Sequence, residues 1–110
     1  MALYLLQVAY TPEAWAVQLK QPQDRVQIVG KLLERLGGRF VNAYFAFGDY
    51  DIVAVMDMPD NVSAAAVSMT VSAGGACKAI KTTPLMAVAE GMEAMRKAAE
   101  ASSAYRRPGV

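Results

Sequence analysis

Apolar and polar residues alternate along the chain in blocks that read as strands and helices. Residues 2–10, ALYLLQVAY, are aromatic and branched, interrupted only by Gln7, and predict a buried strand. A helix follows, because Thr11 can cap it, Pro12 suits its first position and Glu13 complements its positive end. It stops near Leu19, and Pro22 starts a second helix. Val26, Val29, Leu32, Leu33 and Leu36 then follow helical spacing, and Gly37-Gly38 ends the run. Residues 39–47 and 50–58 read as strands joined at Gly48-Asp49, with glycine first as a type II′ turn requires. Asp60 or Asn61 caps a helix through Ala73, with Val62, Ala66, Met69 and Ala73 on its inner face, and Gly74-Gly75 stops it. Residues 76–88 predict a fourth strand, bent at Pro84. Residues 89–101 predict an amphipathic helix with Met92, Met95 and Ala99 inward and Glu93 paired to Lys97 outside. The domain is therefore 1–101, with a flexible tail over 102–110.

The order βα-ββ-αβ-α predicts an α+β chain of the split βαβ, or ferredoxin-like, plan. That plan has one four-stranded antiparallel sheet with helices on one face. Both side-chain sets of the first strand are apolar, Leu3-Leu5-Ala9 and Tyr4-Leu6-Val8. The third strand repeats this with Ile52-Ala54-Met56 and Val53-Val55. Strands apolar on both faces are expected to be covered on both. Helices supply one layer, and a second copy most simply supplies the other, closing two sheets into a dimeric α+β barrel.

Composition sharpens this picture. A chain of 110 residues suits one domain, and 55% apolar against 19% charged residues is too hydrophobic for disorder. It is also rich for a small monomer, which again favours a homodimer or higher homo-oligomer. A net charge of +1 argues against nucleic acid as a partner. Strand three also lacks an aromatic residue after Tyr50, so it offers no RNA-stacking platform. Histidine is absent, which removes the commonest general base and the usual haem and zinc ligand, so neither a cofactor nor a metal is expected. The lone Cys77 forms no internal disulfide. No targeting or membrane-spanning run is visible, so a cytoplasmic protein with no membrane partner is expected.

Candidate chemistry is sparse. Gly48-Asp49-Tyr50-Asp51 is the densest polar cluster beside apolar strands. Asp51 there is a candidate base or ligand anchor and Tyr50 a donor or stacking wall; the plainer alternative is turn chemistry, with Asp51 capping backbone. Asn42 and Tyr44 share one face of strand two, and Gln7 interrupts strand one. A few polar groups in an apolar wall resemble a small-ligand pocket, or else pair with one another. Lys81 could meet an anionic ligand or Asp51, or simply blunt a sheet edge. Cys77 and Trp15 read as packing residues.

The same residues resemble a known family. Gly48-Asp49-Tyr50-Asp51 matches the Gly-(acidic)-Tyr-Asp signature of the GYD domain family. Thr11-Pro12-Glu13, Leu36-Gly37-Gly38, Met58-Pro59-Asp60 and Lys81-Thr82-Thr83-Pro84-Leu85 agree in order, so the resemblance spans residues 3–90. Pro84 and Ala87 stand where the family pattern has an acidic and an aromatic residue. The resemblance implies a ferredoxin-like fold of the dimeric α+β barrel type and implies no established activity.

Three functions follow as expectations. The leading one is a small-molecule binding or sensing module with a mostly apolar ligand in a cleft between sheet and helices, oriented by Gln7, Tyr44 and Asp51. The second is a cofactor-independent isomerase or monooxygenase-like enzyme, with Asp51 as base and Tyr44 or Tyr50 stabilising an oxyanion. The third is a structural protein that assembles with itself.

Overall fold

The computed structural model describes residues 1–110. Strand β1 (Ala2–Tyr10) leads into helix α1 (Pro12–Lys20), capped by Thr11, whose hydroxyl accepts the Ala14 N–H at 3.1 Å. Helix α2 (Arg25–Arg35) begins at Arg25 and not at Pro22. The Asp24 carboxylate accepts the Gln27 N–H at 3.0 Å and so fixes the start, a cap that outcompetes the proline. The helix ends in a Schellman motif. Gly38 N–H donates to Leu33 C=O at 2.8 Å, Gly37 N–H donates to Glu34 C=O at 3.0 Å, and Gly37 has φ +85°. A Cβ on Gly38 would lie 2.5 Å from the Asp57 carbonyl oxygen, so the chain passes there only as glycine.

Strands β2 (Arg39–Phe45) and β3 (Ile52–Met58) are shorter at their shared end than the apolar pattern predicts. The tight type II′ turn does not form. A longer loop joins the strands, closed by Ala46 N–H donating to Asp51 C=O at 2.8 Å. Gly48, with φ +150°, still supplies the angle that other residues avoid, while Phe47 stands fully in solvent. Helix α3 (Asn61–Ala73) is capped by Asp60, whose carboxylate accepts Ser63 N–H at 2.8 Å. That hydrogen bond holds the Asp60 carboxyl below its usual range. Strand β4 (Cys77–Pro84) ends at the proline, four residues before helix α4 (Val88–Ala101) begins. A single 3-10 turn (Ser102–Ala104) follows.

The sheet is antiparallel in the order β2-β3-β1-β4, the ferredoxin-like arrangement. Period-two alternation sends Tyr4, Leu6 and Val8 of β1 and Ile52, Ala54, Met56 and Met58 of β3 to one face, where they are buried with Leu33, Ala64 and Val67. Helix α2 covers β2 and α3 covers β4 on that side.

Two predicted faces are corrected. Helix α3 turns Ala64, Val67 and Val71 inward and leaves Val62 and Met69 exposed. The helix is small and apolar all round, so its spacing carried little contrast. Helix α4 does not pack on its own domain. Met92 and Met95 are exposed, Ala99 likewise, and its only substantial neighbour is the following 3-10 turn. Its surface ion pair joins Glu93 to Arg96 at 3.2 Å, one residue short of the expected Lys97.

Candidate functional site

The sheet's second face collects most of the polar residues singled out by the sequence. Strand register sets Tyr44, Val53, Gln7 and Lys81 side by side in one row across all four strands. The next row is Asn42, Val55, Leu5 and Thr83. Gln7 is half-buried, and Asn42, Tyr44 and Lys81 are exposed. At the end of this face Arg39 pairs with Asp57 at 3.6 Å, leaving Asp57 Oδ1 buried without a hydrogen bond. Gln7 and Tyr44 thus share a face with Val53 between them, but it is the side of the sheet opposite the helices. They do not line a cleft between sheet and helices.

Asp51 lies at neither place. Its Oδ2 accepts the Tyr10 backbone N–H at 2.9 Å and the Trp15 indole N–H at 3.3 Å. The Trp15 ring stands edge-on to Tyr10, with centroids 5.4 Å apart and planes at 80°. The carboxylate therefore ties the β2–β3 loop to the junction of β1 and α1. This is the geometry of a structural cap. Tyr50, half-buried, sits in the same loop. Asp51 is distant along the chain from Trp15 and Tyr10, and the three form one node only through the fold, so no local pattern relates them.

A separate cavity does lie between sheet and helices. Helices α2 and α3 stand over opposite edges of the same sheet face, and the gap between them runs over the central strands. It holds about 260 Å³ and is partly open to solvent. Fourteen of its 18 lining residues are hydrophobic, with Leu6, Val8 and Ile52 in the floor, Leu32 in one wall and Val71 in the other. None of Gln7, Asn42, Tyr44, Tyr50, Asp51 or Lys81 lines it. Tyr10, Arg25, Gly74 and Ala76 border both this cavity and a shallower outer pocket, so they form its mouth. Cys77 stands in the cavity wall beside them.

The mouth has its own electrostatics. Burial first, and then the neighbouring Cys77 and Asp51, push the Tyr10 hydroxyl up, against the opposing Arg25 guanidinium. Burial pushes the Cys77 thiol up, and Arg25 again opposes it. A thiol held protonated in this way is a poor nucleophile.

The GYD domain model matches residues 4–99 of the 110-residue chain. The chain belongs to the GYD domain family. Comparison with curated proteins and with solved structures finds no match. In this GYD domain the signature's Gly48 and Asp51 shape and anchor one loop, and its residues leave the cavity untouched. No three His, Cys, Asp or Glu side chains gather where they could hold a metal ion. No helix is long and apolar enough to cross a membrane.

The sequence reading missed Arg25, Tyr10 and Cys77 as a group. One signal was present. A cation at the first position of a helix opposes the helix dipole, so Arg25 sits where a purely structural residue is disfavoured. Placing the helix start at Pro22 concealed it.

Proposed function

We propose that this GYD domain is a small-molecule binding module that works as a homodimer. The observation that carries the binding reading is the cavity between α2, α3 and the sheet. It is concave, mostly apolar and bordered by a few polar groups at one end, which is the ordinary character of a small-ligand site. The enzyme alternative loses support from Asp51, whose Oδ2 is engaged by backbone and indole donors.

Two uncovered apolar surfaces support the dimer. Leu5, Val53 and Val55 form the centre of the open sheet face, with Leu3 44% exposed at its margin. Val88, Met92 and Met95 form a stripe along α4 at spacings of four and three, detached from the rest of the chain. The buried, unpartnered Asp57 Oδ1 adds an acceptor at the edge of the same sheet face. A second copy covers both surfaces and brings no new chemistry.

Native mass spectrometry with a panel of small apolar compounds tests the binding reading. Retained ligand is expected on the wild type and not on Val71→Trp, which fills the cavity. No retained compound, or equal retention by both proteins, contradicts it. Sedimentation tests the dimer. The wild type is expected to dimerise at micromolar concentration and the double variant Met92→Glu, Met95→Glu to be monomeric.

A further inference from the structure

The polar groups of the cavity are not equivalent. The Ser68 hydroxyl is bonded to Thr82 Oγ1 at 2.5 Å, and the Thr70 hydroxyl donates to the Ala66 carbonyl at 2.7 Å. Both are satisfied inside the protein. Arg25 is different. It is half-buried at the mouth, and neither of the chain's two ion pairs includes it. Its guanidinium is close enough to act on both the Tyr10 hydroxyl and the Cys77 thiol. The surrounding carboxylates do not neutralise it. Asp24 caps α2 through Gln27, and Asp51 binds Tyr10 N–H and Trp15. Glu13 lines the outer pocket without pairing to Arg25.

From this we infer that the ligand is an apolar monocarboxylate, with its hydrocarbon part in the cavity and its acid group on Arg25 beside the Tyr10 hydroxyl. The inference rests on the binding reading above and adds the charge and size of the ligand. A neutral ligand leaves the guanidinium of half-buried Arg25 without a counter-charge, and a cationic one is repelled by it. A polyanion meets one cation and an otherwise apolar wall. Guanidinium matches a single carboxylate best, through two parallel N–H donors. Size agrees. At roughly 30 Å³ for each non-hydrogen atom, the cavity of about 260 Å³ accommodates a medium-length chain or one aromatic ring.

Octanoate and 1-octanol share a chain and differ in the head group, so they separate charge from apolar fit. Calorimetric titration of the full chain is expected to show octanoate binding about ten- to a hundredfold more tightly than octanol, the worth of one charge-assisted hydrogen bond. Arg25→Gln is expected to remove that advantage by weakening octanoate and leaving octanol unchanged. Arg25→Lys is expected to restore part of it. Circular dichroism confirms that each variant is folded. Equal affinity of the two compounds for the wild type, or unchanged octanoate affinity in Arg25→Gln, overturns the carboxylate assignment while leaving the cavity as a binding site. Absence of binding by both compounds, or full binding of both by Val71→Trp, overturns the cavity reading and this inference with it.

Discussion

The two faces of this sheet are built by the same strands, residue by residue, yet they meet different surroundings. On one face Leu6, Val8, Ile52 and Met56 are covered by α2 and α3, with a cavity left between the helices. On the other, Leu5, Gln7, Val53 and Val55 have no cover within the chain. Side-chain period alone assigns both sets to strands; the helices decide which set becomes core. The covered face loses most of its water inside one molecule, whereas the open face keeps apolar surface available for a second copy. The apolar content of these strands thus exceeds what the fold alone buries, and the surplus on the open face is what supports the proposed dimer.

The largest effect falls on the covered face. Leu33 is fully buried against it, and Leu33→Ala should lower stability by about 2–5 kcal/mol through lost burial and the cavity left behind. Denaturant unfolding should show this loss at every protein concentration. Val55→Asp, one position from buried Ala54 and Met56, provides the contrast. It should dissociate the dimer in sedimentation while the monomer keeps its far-ultraviolet dichroism. Unfolding of Val55→Asp under the same conditions breaks the division between the faces.

Away from both faces, the β2–β3 loop should respond through its backbone. Gly48 has φ +150° and open space where a Cβ would stand, so Gly48→Val meets conformational strain and no clash. The expected cost is about 1–3 kcal/mol in thermal unfolding, with octanoate affinity unchanged. An unaltered melting temperature shows that this loop relaxes freely.

Asp51→Asn should have the smallest effect. The amide keeps an acceptor for Tyr10 N–H and Trp15 but loses its charge, which costs about 1 kcal/mol. Ligand affinity should stay the same. A marked fall in affinity with stability intact returns Asp51 to the role of ligand anchor.

These contrasts mark what the sequence made legible. The element order, the Asp60 and Thr11 caps and the Gly37-Gly38 stop all act locally, so they could be read from neighbouring residues. The spacing of Met92 and Met95 marked α4 as amphipathic, but periodicity does not say whose surface an apolar stripe covers. The polar row through Gln7, Tyr44 and Lys81 followed from alternation once the register was fixed, and register is a property of strand pairing. The cavity was hidden more deeply. Its mouth and the adjoining wall join Tyr10, Arg25 and Cys77 from the ends of three elements, and no local pattern relates them.

Methyl NMR of adjacent residues on β1 and β3 tests the division of faces most directly. Octanoate should shift the methyl signals of Leu6, Val8 and Ile52, which face the cavity, and leave Leu5, Val53 and Val55 in place. Dilution through the dimer dissociation range should do the reverse. Octanoate shifts confined to Leu5, Val53 and Val55 contradict the account and move the ligand to the open face.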